Sequence, residues 1–225
     1  IVSYKNANYT AIQNVPAGIL ITNTDYWQEF VPGQLSKVLL PATKSPRLHF
    51  ANPRRVSMLN AVIDISHHNT VLSASKLTKS GVLAVIHKAT QGTTYKDPTY
   101  TGNKKKLIDA GALFGSYHFG TSGDASAQAE FFLSVTGSDN LLVLDFEPNP
   151  QGHDMSLLEA EQFVHHIYIK TGRYPGIYSG HTIKEALASA KITKPDQTEL
   201  SKCWLWIAQY GVAPLIPKIW SKWTL

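Results

Sequence analysis

The stretch that decides the fold is Leu141-Leu-Val-Leu-Asp-Phe-Glu-Pro-Asn149, an apolar run that ends in two carboxylates, Asp145 and Glu147. A short apolar run bounded by loop residues is typical of a strand buried on both faces. Side chains at positions i and i+2 of a strand point the same way, so both acids leave the strand together. Because burying unpaired charge is costly, we expect them at the mouth of a cleft, where they could share acid and base chemistry. The alternative is a capping Asp and a solvated Glu.

Composition sets loose bounds on the class of protein. The chain has 225 residues, 43% of them hydrophobic, which predicts one folded domain with a small appendage. Its formal charge of +5 favours an anionic partner, and cell-wall polymer, nucleic acid and a membrane surface all fit that sign. No RNA-binding signature or basic helix accompanies the charge. The single cysteine, Cys203, allows no internal disulfide, and its apolar neighbours predict a buried structural thiol.

The chain changes character twice along its length. Residues 1–27 alternate short aromatic stretches with turn signals, which predicts a small β unit. Residues 28–57 contain several prolines and basic residues and no acid after Glu29, which predicts an irregular basic linker. From residue 58 onward the pattern becomes regular, so we expect the main domain over 58–225.

The main domain alternates predicted strands with predicted helices. The strands are expected at 61–66, 82–89, 112–118, 141–146, 174–178 and 203–208, and the helices at 99–110, 124–135, 156–171 and 181–190. This alternation predicts parallel βαβ units. A seventh strand opening at 223–225 suits a (β/α) barrel, and no Gly-x-Gly-x-x-Gly follows the first strand as a dinucleotide fold would require.

Functional residues of a (β/α) barrel lie at the carboxyl ends of its strands. The candidates at those ends are Asp64, Ser66, His67, His68, His87, Lys88, Thr90, Tyr117, His118, Phe119, Asp145, Glu147, Tyr178, Trp206, Gln209 and Tyr210. Acids, aromatics and hydrogen-bonding side chains dominate this set. Such a set is typical of sugar binding, since aromatic faces stack on pyranose C–H surfaces while polar groups satisfy hydroxyls.

An ordered series of motifs over residues 59–225 resembles the family 25 glycoside hydrolases, which are muramidases of bacteria and their phages. The motifs are Asp64-Ile-Ser-His-His68, His87-Lys-Ala-Thr-Gln-Gly92, Tyr117-His-Phe119, Leu144-Asp-Phe-Glu147, Tyr178-Ser179 and Trp204-Leu-Trp-Ile-Ala-Gln-Tyr210. The resemblance implies a (β/α)5β3 barrel that hydrolyses the β-1,4 bond between N-acetylmuramic acid and N-acetylglucosamine. Because the family continues past this point through a final strand with another Asp, we expect the sheet to lack its last strand.

The resemblance also implies roles for the acids. Glu147 would be the general acid and base, with a pKa raised by burial or by the neighbouring Asp145. With net retention, Asp145 would act as nucleophile or would orient the substrate's own acetamido group. Asp64 would support the pair, the alternative being a cap on the turn at Ser66. The residues expected to line the saccharide groove are Lys88, Tyr117, Phe119, Tyr178, Trp206, Gln209 and Tyr210.

The N-terminal unit resembles the later part of the small chitin-binding-type modules of families 5 and 12. The segments that carry this resemblance are Val2-Ser-Tyr4, Tyr9-Thr-Ala11, Val15-Pro-Ala-Gly18 and Tyr26-Trp27. It implies a partial carbohydrate-binding module in which Tyr9, Tyr26 and Trp27 contact sugar.

Two other readings remain open from the sequence. Histidines and acids at the strand ends could belong to a metal-dependent deacetylase, but neither His-x3-His nor His-Glu-x-x-His occurs, so we expect no metal and no cofactor. A non-catalytic cell-wall-binding or phage tail protein with a degraded barrel is the second reading. We expect bacterial peptidoglycan as partner, no nucleic acid, no membrane insertion and a monomer. The chain shows no signal peptide, so action at the cell wall would need phage-encoded release or another export route.

Overall fold

The computed structural model describes residues 2–4, 7–11, 27–29, 60–138, 141–209 and 213–225. The chain forms two compact units, Ile1–Ser57 and Met58–Leu225. In the first unit, β1 (Val2–Tyr4), β2 (Ala7–Ala11) and β3 (Trp27–Glu29) form an antiparallel sheet in that order. The rest of the predicted linker lies outside the described residues.

The second unit alternates strands and helices as the sequence predicts. Its elements are β4 (Ala61–Ile65), α1 (Ala74–Lys79), β5 (Val82–Gln91), β6 (Tyr95–Lys96), α2 (Tyr100–Asp109), β7 (Leu113–Phe119), α3 (Ala125–Thr136), β8 (Leu141–Asp145), α4 (Leu157–Thr171), β9 (Gly176–Ser179), α5 (His181–Ser189) and β10 (Trp204–Ile207). The six strands predicted between residues 61 and 208 and the four predicted helices are each confirmed to within two residues at either end. The short hairpin of β5 with β6 was not predicted.

The strands of the second unit form one sheet with sequential order. The order is β4, β5, β7, β8, β9 and β10, every neighbouring pair on this path is parallel, and β6 is antiparallel to β5. This sheet curls into half of a barrel, which confirms the predicted α/β barrel class. Residues 223–225 are not assigned as a strand, but Thr224 donates to Leu205 O and Leu225 O accepts from Ile207 N along the free edge of β10.

The helices begin and end where local chemistry requires. Ser156 and Glu159 form a capping box at the start of α4, and Gly172 ends that helix in the left-handed conformation that glycine adopts without strain. Phe132 of α3 and Phe163 of α4 are fully buried in the larger core, which lies between these helices and the sheet. Burial of each such side chain contributes about 1.5–3 kcal/mol. No described helix is long and apolar enough to cross a membrane.

Strand register separates the residues of the sheet into a helix-covered face and an inner face. Leu142 and Leu144 of β8 pack in the core, so the alternate residues Val143 and Asp145 point to the inner face. Paired residues of neighbouring strands share a face. The residues paired across the strands with Asp145 form a row of Gln91, Phe119, Asp145, Tyr178 and Trp206. The residues paired with Val143 form a second row of Lys88, Tyr117, Val143, Gly176 and Trp204. The parallel register therefore collects polar and aromatic side chains on one face.

Gly176 makes room for an indole ring on this inner face. It pairs with Trp204, and a Cβ at position 176 would lie 2.3 Å from ring atoms of that side chain. Gly176→Ala is therefore expected to displace the ring and to lower the free energy of unfolding by about 1–3 kcal/mol, measured by urea denaturation.

A matched control tests whether the loss comes from this contact. An added Cβ at Gly102, in α2, meets no atom within 4 Å. Gly102→Ala should therefore raise the free energy of unfolding by up to about 1 kcal/mol, because alanine favours the helix. Equal effects of the two substitutions would contradict the assignment of the Trp204 contact.

Candidate active site

Three acidic side chains meet at the carboxyl ends of β4 and β8. Asp64 lies in β4, Asp145 ends β8 and Glu147 follows two residues later. Their charges interact, since Glu147 and Asp64 both raise the pKa of Asp145. Asp145 is 6% exposed, Glu147 is half-buried and Asp64 is exposed, so the group runs from the sheet surface into solvent. The structure thus brings together the three acids singled out from the sequence.

Asp145 is the most deeply buried acid of the group. Its Oδ1 atom is buried and has no hydrogen-bond partner among the described residues. Burial, and then the charge of Glu147, hold the pKa of Asp145 well above its usual range, while Lys88 acts in the opposite direction. A buried carboxyl oxygen without a partner is available to a ligand that carries a hydrogen-bond donor.

Glu147 is also shifted toward its protonated form. Burial raises the pKa of Glu147, and the charge of Asp64 raises it further. The sequence suggested Asp145 as the neighbouring charge. In the structure the charge that raises the pKa of Glu147 is that of Asp64, while Glu147 in turn raises the pKa of Asp145. A carboxyl that stays protonated near neutral pH can act as a general acid.

Lys88 brings a positive charge to the same place. Its Nζ atom donates to Gln91 Oε1 at 2.6 Å and lies 4.8 Å from the centre of the Phe119 ring. Burial lowers the pKa of Lys88, whereas the charges of Asp145 and Asp97 raise it. The half-buried ammonium group is therefore held close to Asp145 by a hydrogen bond and an aromatic face.

Aromatic side chains flank Asp145 on both sides of β8. Tyr178 and Trp206 are neighbours in the register, with ring centres 4.7 Å apart and planes at 63°. Tyr117 is half-buried, and burial together with the charges of Asp145 and Asp64 raises its pKa. These rings and the carboxylates share one face of the sheet, as a sugar-binding groove requires.

The remaining candidate sugar-binding residues either contact the chain itself or have no described side chain. The side-chain amide of Gln209 is used within the chain, since Oε1 accepts from Lys184 Nζ at 3.0 Å and from Leu215 N at 3.1 Å, and Nε2 donates to Ala213 O. Tyr210 and Tyr26 lie outside the described residues. Tyr9 and Trp27 lie in β2 and β3, but their side chains are not among those described. The turn at Ser66 is capped by Asn69 Oδ1, which accepts from Ser66 N.

Two strand-end histidines lie on the helix-covered face instead. His118 is fully buried, lies 2.7 Å from Thr90 Oγ1 and 3.1 Å from Gln128 Oε1, and stacks on Phe163. His87 lies 3.0 Å from Asn103 on the same side. Within the described residues, no three His, Cys, Asp or Glu side chains converge on a possible metal position. Cys203 is buried, as predicted, and burial raises the pKa of its thiol.

The buried His118 gives the fold a pH dependence. Burial lowers the pKa of His118 from 6.5 to about 4. The contribution of the neutral ring to stability is therefore fully present above pH 6.5 and is lost as the pH falls toward 4. We expect this group to reduce the free energy of unfolding by about 3 kcal/mol over that interval. Urea unfolding at several pH values should show a smaller decline in His118→Gln, whereas His181→Gln, at an exposed position, should decline as the parent does.

Sequence reasoning missed several residues of this region. Tyr95 lies in the unpredicted strand β6, Asp97 follows that strand, and Gln91 extends β5 beyond its predicted end. The only sequence signal was the short segment Tyr95-Lys-Asp-Pro98, with an acid before proline. Their contacts depend on the meeting of separate loops, which a local pattern does not reveal.

The curled parallel sheet, with acids at the carboxyl ends of its strands, places this chain among the (β/α)-barrel proteins. A family model described as Glycosyl hydrolases family 25 matches residues 63–225. The chain therefore belongs to glycosyl hydrolases family 25.

Individual relatives agree with this membership. Lysozyme M1 of Streptomyces globisporus is 30% identical over 176 residues, which cover 72% of this chain and 59% of that protein. The muramidase from Acremonium alcalophilum has a TM-score of 0.62 and 28% identity, covering 72% of this chain and 83% of its own. The lysozyme from Streptomyces coelicolor has a TM-score of 0.62 and 29% identity, and the match covers 72% of this chain and 80% of that chain. The chain thus spans about three fifths of the length of Lysozyme M1.

Proposed function

We propose that this chain is a muramidase that hydrolyses the β-1,4 bond between N-acetylmuramic acid and N-acetylglucosamine in bacterial peptidoglycan. The observation that carries the proposal is the pair Asp145 and Glu147, both with raised pKa values, at the carboxyl end of β8. Membership of glycosyl hydrolases family 25 supports the reaction class. The names lysozyme and muramidase borne by similar proteins support the substrate.

Each acid has a role in this proposal. Glu147 protonates the leaving glycosidic oxygen and then activates water, which its raised pKa favours. Asp145 either attacks the anomeric carbon or accepts the acetamido N–H of the substrate, and both routes give net retention. The unpartnered Oδ1 of Asp145 supports either role, and the nearby ammonium of Lys88 favours the anion that both require. The charge of Asp64 adds to the effect of burial in raising the pKa of Glu147 and so favours its protonated form.

The groove is proposed to bind the glycan strand across the acids. Tyr178 and Trp206 would stack on sugar faces on one side, with Tyr117 and Phe119 beside the scissile bond. Lys88 would contact substrate oxygens from the other side. We propose that the protein acts as a monomer at the bacterial cell wall and that the small unit 1–57 adds a sugar contact.

The test is hydrolysis of purified peptidoglycan by the full chain. We expect loss of turbidity together with new reducing ends, and proton NMR of the first products should show the β anomer. If the α anomer formed first, the reaction would proceed with inversion, and the proposed net retention would be wrong. If the protein co-sediments with the cell wall but releases no new reducing ends, the proposed hydrolysis is wrong. The result would instead support a non-catalytic wall-binding or phage tail protein.

A further inference from the structure

Asp97 is a completely buried carboxylate that the proposed reaction does not use. It lies just after β6 and is 0% exposed. Its Oδ2 atom accepts from the backbone N–H of His67 at 2.8 Å and lies 2.9 Å from His67 Nδ1. Its Oδ1 atom accepts from Thr99 N at 2.9 Å and from Thr99 Oγ1 at 2.8 Å. Both oxygens are therefore fully engaged across two loops.

These contacts fix the protonation pattern of His67. Burial alone would raise the pKa of Asp97, but the hydrogen bonds from Thr99 and His67 bring it below its usual value, so the group is an anion that only accepts. His67 Nδ1 must then donate to it, because two acceptors cannot share a hydrogen bond. A neutral His67 consequently carries its lone pair on Nε2. The described residues offer that nitrogen no hydrogen-bond partner.

His67 lies at the rim of the groove, three residues after Asp64. The hydroxyl of Tyr95 is 3.2 Å from His67 Nδ1, and Lys88 Nζ lies 5.6 Å from the centre of the Tyr95 ring. Lys88 in turn interacts with the charges of both Asp97 and Asp145. The His67 ring is one third exposed. Contacts therefore join the buried Asp97, through His67 and Tyr95, to Lys88, whose charge acts on the proposed reacting acid Asp145.

We propose that Asp97 is a positioning residue that fixes the loop after β4 and the tautomer of His67, and that His67 Nε2 accepts a hydrogen bond from an amide N–H or a hydroxyl of bound substrate. The inference rests on the proposed function for the identity of the substrate. It adds a polar contact at the β4–β5 side of the groove, opposite the aromatic side formed by Tyr178 and Trp206. The donor could belong to the sugar chain or to the stem peptide attached to it.

Asp97→Asn tests the tautomer with little change in shape. The new amide replaces one carboxylate oxygen by an NH2 group, and with that group turned toward His67 the Nδ1 atom would have to accept, so the ring proton would move to Nε2 and the acceptor would be lost. We expect KM to rise about 3- to 10-fold, the effect of one hydrogen bond, with a smaller change in kcat. His67→Phe, which keeps a ring without nitrogen, should give a similar rise. Asp109→Asn, at an exposed position of α2, is the matched control.

A spectroscopic readout separates positioning from a general structural role. Nitrogen-15 NMR of histidine-labelled full chain should show His67 protonated at Nδ1 in the parent and at Nε2 in Asp97→Asn. A parent protonated at Nε2 would overturn the inference, even if the protein cleaves peptidoglycan. So would unchanged KM in both variants when the parent is active. Failure of the parent to cleave would instead reject the proposed function, and the tautomer measurement would still test Asp97.

The source of the hydrogen-bond donor can be assigned in the same assays. Glycan chains with stem peptides and chains freed of them by an amidase would be compared as substrates. An equal rise in KM on both would assign the donor to the sugar chain. A rise confined to the peptide-bearing chains would assign it to the peptide.

Discussion

Glu147→Gln is expected to lower kcat on peptidoglycan by about 100-fold or more, because an amide cannot donate the proton that the leaving oxygen needs. The substitution keeps the size of a half-buried side chain, so the fold should be retained. KM should change little, since the proton is transferred in the transition state and not on binding. Reducing-end release measured over a range of substrate concentrations gives both constants.

Controls make this result specific to the acid. Glu185→Gln removes a carboxylate from an exposed position of α5 and should leave kcat unchanged. The melting temperature of Glu147→Gln should be close to that of the parent or higher, because burial penalises the anion that the amide replaces. Parent-like kcat in Glu147→Gln would exclude Glu147 as the proton donor.

Asp145→Asn should separate activity from stability. We expect activity to fall by at least about 100-fold, because the amide can neither attack the anomeric carbon nor accept the acetamido N–H as an anion would. The same change should stabilise the protein near neutral pH. In the parent, burial penalises the charged form of the Asp145 carboxyl. Its buried Oδ1 atom has no hydrogen-bond partner among the described residues to offset that penalty.

The pH dependence of the Asp145→Asn effect follows from the direction of the pKa shift. Burial raises the folded-state pKa of Asp145 well above 3.8. Its contribution to stability is therefore complete below pH 3.8 and is lost as the pH rises through the raised pKa. Because asparagine does not titrate, the stability of the variant relative to the parent should increase with pH. Urea unfolding at pH 5 and pH 8 measures it, with Asp109→Asn as control, and a relative stability that fell with pH would contradict the burial argument.

The sequence predicted most of the fold because hydrophobic periodicity decides it. Leu142, Val143 and Leu144 before Asp145 are buried, and the register of β8 places Phe119 and Tyr178 level with Asp145. The alternation of a strand also accounts for His118, which must face away from Tyr117 and Phe119 and so packs among the helices. Reading strand ends without that alternation made His118 a candidate site residue.

The remaining differences come from contacts between distant segments. Gln209 was expected to bind substrate, yet its amide is engaged by Lys184 and the following loop. Asp97 gave no clear signal, because its partner His67 is 30 residues away. Neither pairing follows from local propensity or spacing. Both pairs of residues come into contact only when separate segments pack together in the folded chain, and the sequence pattern of each segment alone does not specify that packing.

The most direct test of the central claim is to identify the sugar at each new reducing end. Peptidoglycan digested by the full chain would be reduced with borohydride, and the fragments would be hydrolysed and analysed by mass spectrometry. If Asp145 and Glu147 cut the proposed bond, reduced N-acetylmuramic acid should accumulate with digestion and should be nearly absent with Glu147→Gln. Accumulation of reduced N-acetylglucosamine, or release of peptide without new reducing ends, would contradict the account.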